Sequence, residues 1–295
     1  MRRQRRLTRR LATGLGGSAA VLLAGAVHAQ PGPSPFGARG ESRVSVHLST
    51  DADPIGPGRT FHIAVRFEIA EHWHMYWKNP GEGGLPPTIR VTTPPGYVAG
   101  EILWPRPVAV TTPLGREYAY FDEVVLFVPI TTPARLADAT VTMRVDLEWA
   151  VCRQRCLLGS ATRQITIATS SRPDTDGGTS ARLDAFKKRL PRPLADLKGA
   201  RIAFDRSILT LTGPAGEATR AAFFGVDRPG VEFGTARVTV GDGRFSIVVP
   251  VALEPLNAGG RTMAVGGLVT LGAEADDPSY DFVIEPDDKP GLSKP

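Results

Sequence analysis

Cys152 and Cys156 are the only cysteines in the 295 residues of this chain, and they lie four positions apart. Two thiols this close in sequence suit three kinds of chemistry: a local structural disulfide, a redox pair that exchanges with other thiols, or part of a metal site. Arg153 and Arg155 place positive charge beside both sulfurs, which favours the nucleophilic thiolate. We therefore expect any covalent chemistry of the chain to centre on this segment.

The spacing of the cysteines constrains how the two sulfurs meet. In a fully extended chain, Cα atoms four residues apart are separated by roughly 13 Å, whereas a disulfide requires about 4.4–6.8 Å. The pair can close only across a turn, and the segments Val145–Val151 and Gln164–Ile167 predict strands on either side of it. We therefore expect both cysteines at or near the end of a β-hairpin.

The residues alone do not decide between a static disulfide and one that exchanges with other thiols. Closing a short loop removes little entropy from the unfolded chain, which argues against a purely structural bond, and a small strained loop is easier to reduce. A zinc or copper site would need further ligands such as His72 or His74, and the spacing matches no zinc finger or ribbon. No metal and no cofactor is therefore predicted.

Other enzyme classes have little support in the sequence. There is no Gly-x-Ser-x-Gly motif and no glycine-rich phosphate loop before a helix. We interpret isolated acids such as Glu117 and Asp122 as solvated loop residues. Hydrolase and nucleotide chemistry are accordingly not predicted.

The first 29 residues have the pattern of a signal peptide. Residues 1–10 contain six arginines, residues 11–27 are apolar and small, and Val27-His28-Ala29 has small residues at the positions that signal peptidase recognises. A twin-arginine signal is the alternative to ordinary secretion. The mature protein is expected to begin near Gln30 and, without an apolar run long enough for a membrane span, to be soluble in the periplasm, a retained anchor being the alternative.

The leader also accounts for the basic character of the chain. The formal net charge is +5, and the six arginines of residues 1–29, which contain no acidic residue, contribute +6. The remainder is therefore near −1, with charges of both signs mixed along it. A nucleic-acid partner is not predicted.

Composition predicts an all-β protein. Its 32 glycines and 26 prolines are scattered as turn residues between runs rich in Val, Ile, Thr and Phe. Strands with one buried face are indicated by the alternation over Val44–Leu48, Phe61–Phe67 and Val141–Leu147. The apolar run Val124–Ile130 indicates a strand that is buried on both faces. A polar, glycine-rich stretch near residue 170 indicates a domain boundary, followed by a short helix carrying Leu183, Phe186 and Leu190 at helical spacing.

The chain therefore divides into two β regions joined by a linker. The second region contains no cysteine, histidine or tryptophan, so we expect it to serve as a scaffold or to contact a partner. The predicted organisation is a signal peptide (1–29), a flexible segment (30–41), a first β-sandwich domain (42–170), a linker with a short helix (171–199), a second, smaller β-sandwich domain (200–285) and a tail (286–295).

The densest aromatic segment is residues 71–81. In a strand, Trp73, Met75 and Trp77 share one face, and His74 and Tyr76 share the other. We interpret the tryptophans as core residues, because large aromatics usually serve as packing mass. His74 and Tyr76 then remain as candidates for the lining of a site.

Several segments in fixed order resemble a known family. These are residues 72–86, Trp104-Pro105, Tyr118-Ala119-Tyr120 and the run from Trp149 through both cysteines. The combination resembles the periplasmic N-terminal region of DsbD-type thiol:disulfide interchange proteins, and most nearly the ScsB-like branch, which is associated with suppression of copper sensitivity.

The resemblance implies an immunoglobulin-like sandwich with two redox cysteines, Cys152 and Cys156. It implies that Cys156 is the one attacked to form a mixed disulfide and that Cys152 resolves it. An aromatic of a cap segment shields the family's disulfide, and here Tyr118 or Tyr120 occupies the corresponding place. The resemblance also places His74 and Tyr76 beside the pair. The charge pattern places Arg153 and Arg155 there.

Three functional hypotheses follow. The first is a thiol–disulfide exchange module of the protein-disulfide reductase type, which passes electrons to oxidised periplasmic client proteins. Because full-length relatives continue into a membrane domain and a thioredoxin-like domain, and this sequence ends at Pro295, the expected donor is a separate membrane-embedded thiol reductase. The second is a non-catalytic adaptor with a static disulfide, and the third a copper-binding protein that uses the thiols with His74 and Met75.

Overall fold

The computed structural model describes residues 40–112, 115–171, 181–205, 207–254 and 264–284. The predicted signal peptide, nearly all of the predicted flexible segment and the predicted tail lie outside these residues. The described part of the chain is built almost entirely of strands, as the sequence predicts. No helix in this part is both long and apolar enough to cross a membrane.

The N-terminal half contains ten strands in two antiparallel sheets. A 3₁₀ helix over Glu41–Arg43 precedes them. One sheet has the order β1-β2-β8-β5; the other has the order β10-β9-β3-β7-β6, with β4 beside β9. The strands are β1 (Val44–Thr50), β2 (Thr60–Ile69), β3 (His74–Gly81), β4 (Thr88–Thr92), β5 (Val98–Ala99), β6 (Val108–Thr112), β7 (Gly115–Phe121), β8 (Glu123–Thr131), β9 (Thr140–Cys152) and β10 (Cys156–Ala168).

The two sheets pack face to face as an immunoglobulin-like sandwich. Side chains at alternate positions fill the space between them, with Phe67 and Leu126 from one sheet and Met75, Trp77 and Trp149 from the other. The tryptophan prediction is confirmed at Trp77, which is only 1% exposed. This sandwich provides the rigid frame on which β3, β7 and the β9–β10 hairpin meet.

Strand β8 is buried on both faces, as predicted. Its even-numbered residues face the sandwich core, and Val125 and Phe127 face the opposite way. A short helix, α1 (Ala181–Lys187), covers that second face through Leu183 and Phe186. The Nζ atom of Lys187 pairs with Oδ2 of Asp51 at 2.6 Å and fixes the end of the helix.

The C-terminal half forms a second, smaller sandwich. Its sheets have the orders β11-β19-β18-β14 and β12-β13-β17-β15, with β16 beside β17, and a 3₁₀ helix covers Leu194–Asp196. Leu211 and Ile247 from one sheet meet Val269 and Phe282 from the other in its core. The strands are β11 (Arg192–Pro193), β12 (Arg201–Asp205), β13 (Ile208–Pro214), β14 (Ala221–Gly225), β15 (Val231–Phe233), β16 (Arg237–Gly241), β17 (Arg244–Leu253), β18 (Val265–Leu271) and β19 (Ser279–Ile284).

The two sandwiches are in direct contact through β3 and β14. Phe224 and Leu268 of the second sandwich belong to the hydrophobic core of the first. The ring of Phe224 lies edge-on to Trp77 and Tyr118, with centroids 6.0 and 4.9 Å apart. The second sandwich therefore packs directly against the strand that carries His74 and Tyr76.

Candidate functional site

The cysteines end one strand and begin the next. Cys152 is the last residue of β9, Cys156 is the first of β10, and the two are direct partners in the antiparallel register. Only Arg153, Gln154 and Arg155 connect them, and the disulfide joins Cα atoms that are 4.1 Å apart. The prediction that the pair closes at a hairpin end is confirmed.

The two sulfur-bearing residues differ in exposure. Cys152 is 3% exposed and packs with Tyr76 and Ala150, whereas Cys156 is exposed together with the three turn residues. Of the two cysteines, Cys156 is therefore the one that is open to solvent. Arg153 and Arg155, which are exposed in the turn, carry positive charge close to it in sequence.

Strand β3 supplies the wall behind the disulfide. His74 is the direct cross-strand partner of Cys152, and Met75 is the partner of Val151. Because partners across a ladder share a face, His74 and Tyr76 lie on the disulfide side of the sheet and Met75 lies in the core. The hydroxyl oxygen of Tyr76 is 3.9 Å from Sγ of Cys156 and 3.2 Å from Nε2 of His74.

Glu117 completes this buried cluster. It is 2% exposed; its Oε2 accepts a hydrogen bond from the Tyr76 hydroxyl at 3.4 Å, and its Oε1 accepts one from the Thr112 hydroxyl at 3.1 Å. Nε2 of His74 also lies 3.4 Å from Oε2. The interpretation of Glu117 as a solvated loop residue was wrong, because residues 115–121 form a strand in which Glu117 shares a face with Ala119 and Phe121.

Burial determines the protonation of the cluster. It raises the pKa of Tyr76 to about 12, and the nearby negative charge of Glu117 adds to the effect. It lowers the pKa of His74, which the same carboxylate partly opposes. Near neutral pH the site therefore contains a phenol O–H and a neutral imidazole beside the sulfur. The positive charges closest to Cys156 in sequence are those of Arg153 and Arg155 in the hairpin turn.

Tyr118 and Tyr120 lie on the other face of β7. Tyr120 is opposite Met75 in the register, and its buried hydroxyl donates to the carbonyl oxygen of Pro105 at 2.8 Å. Tyr118 packs against Trp77 and the second sandwich. The structure thus does not bring either tyrosine to the disulfide, because the alternation of side chains along a strand directs both of them inward.

The segment after β3 lies over Tyr76. We call residues 82–84 the cover loop. A Cβ added to Gly84, where φ is +78°, would lie 2.1 Å from Cζ of Tyr76, so this backbone rests directly on the aromatic ring. This role was not predicted from the sequence, although the glycines at 81, 83 and 84 are the signal of a close backbone approach.

Potential metal ligands do not gather elsewhere in the described residues. Within them, no three or more His, Cys, Asp or Glu side chains form a group suited to holding a metal ion. His72, considered as a ligand from the sequence, is exposed at a positive φ of 68°. Both cysteine sulfurs are occupied by their mutual bond.

Comparison with known proteins gives a family match over part of the chain. The family model for the N-terminal domain of thiol:disulfide interchange protein DsbD matches residues 47–167. A search of curated proteins finds no significant match.

A solved periplasmic domain shares the fold. The N-terminal periplasmic domain of ScsB from Proteus mirabilis is 18% identical, with a TM-score of 0.59, and the match covers 84% of this chain and 96% of that one. The DsbD N-terminal domain of Neisseria meningitidis in its reduced form is also 18% identical, with a TM-score of 0.29 and coverage of 43% and 86%. The first of these matches spans both sandwiches of the present chain.

Proposed function

We propose that this chain, whose residues 47–167 form a domain of the DsbD N-terminal family, is a thiol–disulfide exchange module in which Cys156 is the attacked sulfur and Cys152 the resolving one. The observation that carries the proposal is the contrast between exposed Cys156 and buried Cys152 at the tip of one hairpin. A partner thiol reaches one sulfur, while the other remains in place to complete the exchange.

Reduction of the module follows two displacement steps. A thiolate of the donor attacks Sγ of Cys156, forms a mixed disulfide and releases the Cys152 thiolate. A second donor thiolate then attacks its partner sulfur in that mixed disulfide, which releases the Cys156 thiolate. Two electrons pass to the module, and the donor leaves as a disulfide.

Transfer to a client runs in the opposite sense. The Cys156 thiolate attacks the client disulfide and displaces one client thiolate. The Cys152 thiolate then attacks Sγ of Cys156, which restores the intramolecular bond and releases the second client thiolate. The direct cross-strand pairing of the two cysteines keeps the resolving sulfur within reach throughout.

The surrounding groups set the reactivity of Cys156. Arg153 and Arg155 favour its thiolate, whereas the buried carboxylate of Glu117 opposes it. The hydroxyl of Tyr76 lies 3.4 Å from that carboxylate and 3.9 Å from the sulfur. In this proposal, the arginine charges, the carboxylate and the phenol hydroxyl together determine how readily the reduced module releases its electrons.

The proposed partners are a membrane-embedded thiol reductase as donor and oxidised periplasmic proteins as clients. The signal-peptide pattern of residues 1–29 and the family match support a periplasmic location. The exposure of Cys156 supports exchange over a static bond, for which two buried sulfurs are expected. The proposed activity is that of a protein-disulfide reductase.

Single-cysteine variants test the assignment with oxidised glutathione as the probe. Reduced wild-type protein should return to the Cys152–Cys156 disulfide and release two molecules of reduced glutathione. Cys152→Ser should stop at a stable glutathione adduct on Cys156, and Cys156→Ser should react at least about tenfold more slowly because Cys152 is buried. Mass spectrometry distinguishes these products. Equal rates for the two variants, or no closure in the wild type, would contradict the proposal.

A further inference from the structure

The side-chain amide of Asn79 makes two hydrogen bonds that join distant parts of the molecule. Its Nδ2 donates to the carbonyl oxygen of Gly225 in β14 at 2.8 Å, and its Oδ1 accepts from the backbone N–H of Gly81 at 2.9 Å. One half-buried group therefore connects the second sandwich to the residue that precedes the cover loop. The register of β3 against β7 shifts between Tyr76 and Gly81, so Asn79 lies at an irregularity of the strand.

The Gly225 end of this connection is held by packing. A Cβ on Gly225 would lie 2.3 Å from the ring of Phe233, and Gly225 pairs with Gly267 in the adjacent strand. The preceding residue, Phe224, is 2% exposed and forms the aromatic contact with Trp77. The acceptor for Asn79 is therefore a fixed point of the second sandwich.

The Gly81 end leads into the redox site. Gly81 pairs with Glu117, and the N–H of Glu82 donates to the carbonyl oxygen of Arg116 at 3.0 Å. Gly84, which is two residues after Glu82, rests on the ring of Tyr76. A shift of Gly81 is thus transmitted both to the strand that carries the buried carboxylate and to the backbone over Tyr76.

We infer that Asn79 is a positioning residue through which the second sandwich holds the cover loop over Tyr76, whose hydroxyl lies beside Cys156, and so keeps the thiol of Cys156 less reactive. The inference rests on the exchange function proposed above, and it gives the second sandwich a role in that function. The contact couples the docking of the second sandwich to the reactivity of a sulfur that the sandwich does not itself carry.

The substitution Asn79→Asp isolates the interdomain bond. A carboxylate still accepts from Gly81, but it cannot donate to Gly225 and it repels that carbonyl oxygen. In the reduced protein, alkylation of Cys156 by iodoacetamide at pH 7 should become faster by about three- to tenfold, the range expected for one hydrogen bond. The rate profile should also move to lower pH, because Glu117 is held less closely to the site. Asn79→Ala should change both readouts in the same direction.

Arg106→Ala is the matched control. Arg106 also bridges the sandwiches, with Nη2 donating to the carbonyl oxygen of Gly272 at 3.1 Å and Nη1 to that of Asp277 at 3.3 Å, but it has no bond to the cover loop. Its loss should leave the alkylation rate within about twofold of wild type. If Arg106→Ala accelerates alkylation as much as Asn79→Asp does, or if folded Asn79→Asp reacts like wild type, the inference is overturned.

A second pair of variants tests the cover loop without touching the interface. Gly84→Ala should displace the loop from Tyr76 and accelerate alkylation, whereas Gly58→Ala, with a similar φ of +62° but no atom within 4 Å of the added Cβ, should not. Equal rates for these two variants would overturn the role of the loop. The glutathione experiment on wild-type protein tests the exchange function separately, so the two failures are distinguishable.

Discussion

The hydroxyl oxygen of Tyr76 lies 3.9 Å from Sγ of Cys156, the exposed cysteine of the disulfide. The same hydroxyl donates to the buried carboxylate of Glu117, so one group lies beside both the sulfur and a negative charge. The pKa of Tyr76 is raised to about 12 by burial and by that carboxylate, which keeps the hydroxyl protonated under ordinary conditions. The reactivity of Cys156 should therefore depend on this one phenol.

Replacing Tyr76 with phenylalanine should make reduced Cys156 less reactive. The carboxylate of Glu117 loses a hydrogen-bond donor, so its negative charge acts on the sulfur with less compensation. The pKa of the Cys156 thiol should rise, and iodoacetamide alkylation at pH 7 should slow by about three- to tenfold. Tyr118→Phe removes the same group from the opposite face of the sheet and should leave the rate unchanged. Equal rates for the two variants would contradict this role.

Removing the charge of Glu117 should have the opposite effect. In Glu117→Gln the amide oxygen still accepts from Tyr76 and Thr112, but the negative charge is gone. Alkylation of Cys156 should accelerate by about three- to tenfold at pH 7, with the whole rate profile moved to lower pH. Glu148→Gln, which removes the same charge from an exposed position on β9, is the control. A profile that coincides with the wild-type one would exclude electrostatic control by Glu117.

Burial of neutral His74 predicts a loss of stability on mild acidification. Its pKa is lowered in the folded state by burial, against the opposing effect of Glu117, from an ordinary value of 6.5. The unfolded chain therefore binds a proton more readily, so the free energy of unfolding should fall as the pH drops below about 6.5. His74→Phe should show a weaker dependence in urea titrations between pH 7 and pH 5. The same slope in both proteins would contradict the assignment.

Asp51 affects the stability of the fold in a lower pH range than His74 does. Burial alone would raise its pKa, but hydrogen bonds from His62 and Lys187 outweigh that effect and lower the value to about 2. Its contribution to stability is present above an ordinary pKa of 3.8 and is lost only as the pH falls from there toward 2. The histidine effect can therefore be measured before this carboxylate begins to titrate.

The arginines of the turn, Arg153 and Arg155, should favour reaction with negatively charged disulfides over positively charged ones. Arg153 and Arg155 are exposed in the turn between Cys152 and Cys156. Replacing both with serine should lower the rate with anionic oxidised glutathione relative to cationic cystamine by about three- to tenfold at low salt. The difference should shrink near 0.15 M salt, where exposed charges are screened over about 8 Å. A rate ratio that does not change with the substitution would show that the arginines do not steer partners.

The local parts of the site were predictable from the sequence. The four-residue separation of the cysteines required a turn, and the alternation around Met75 and Trp77 placed His74 and Tyr76 on the other face. Most of the longer strands of both sandwiches were also indicated by their patterns, but four strands of the first sandwich, β4 to β7, were not, and neither were the short strands β11 and β15 of the second. These features depend on neighbours within a few residues, which a single sequence displays directly.

Features that depend on contacts between distant segments were not predictable in this way. Glu117 meets Tyr76 across 41 positions of sequence, and Asn79 meets Gly225 across 146. Tyr118 and Tyr120 were placed beside the disulfide by their position in a family pattern, but a difference of one residue reverses the face of a strand. The pairing of β3 with β7 sets that face, and no local signal in either segment specifies the register.

The reduction potential of the Cys152–Cys156 couple tests the central claim most directly. Mature protein would be equilibrated in glutathione and dithiothreitol buffers, and free thiols would be trapped and counted by mass spectrometry. An exchange module should have a potential of roughly −120 to −270 mV, the range of proteins that pass electrons between thiols. A potential below about −300 mV would identify a structural bond and contradict the proposed exchange function.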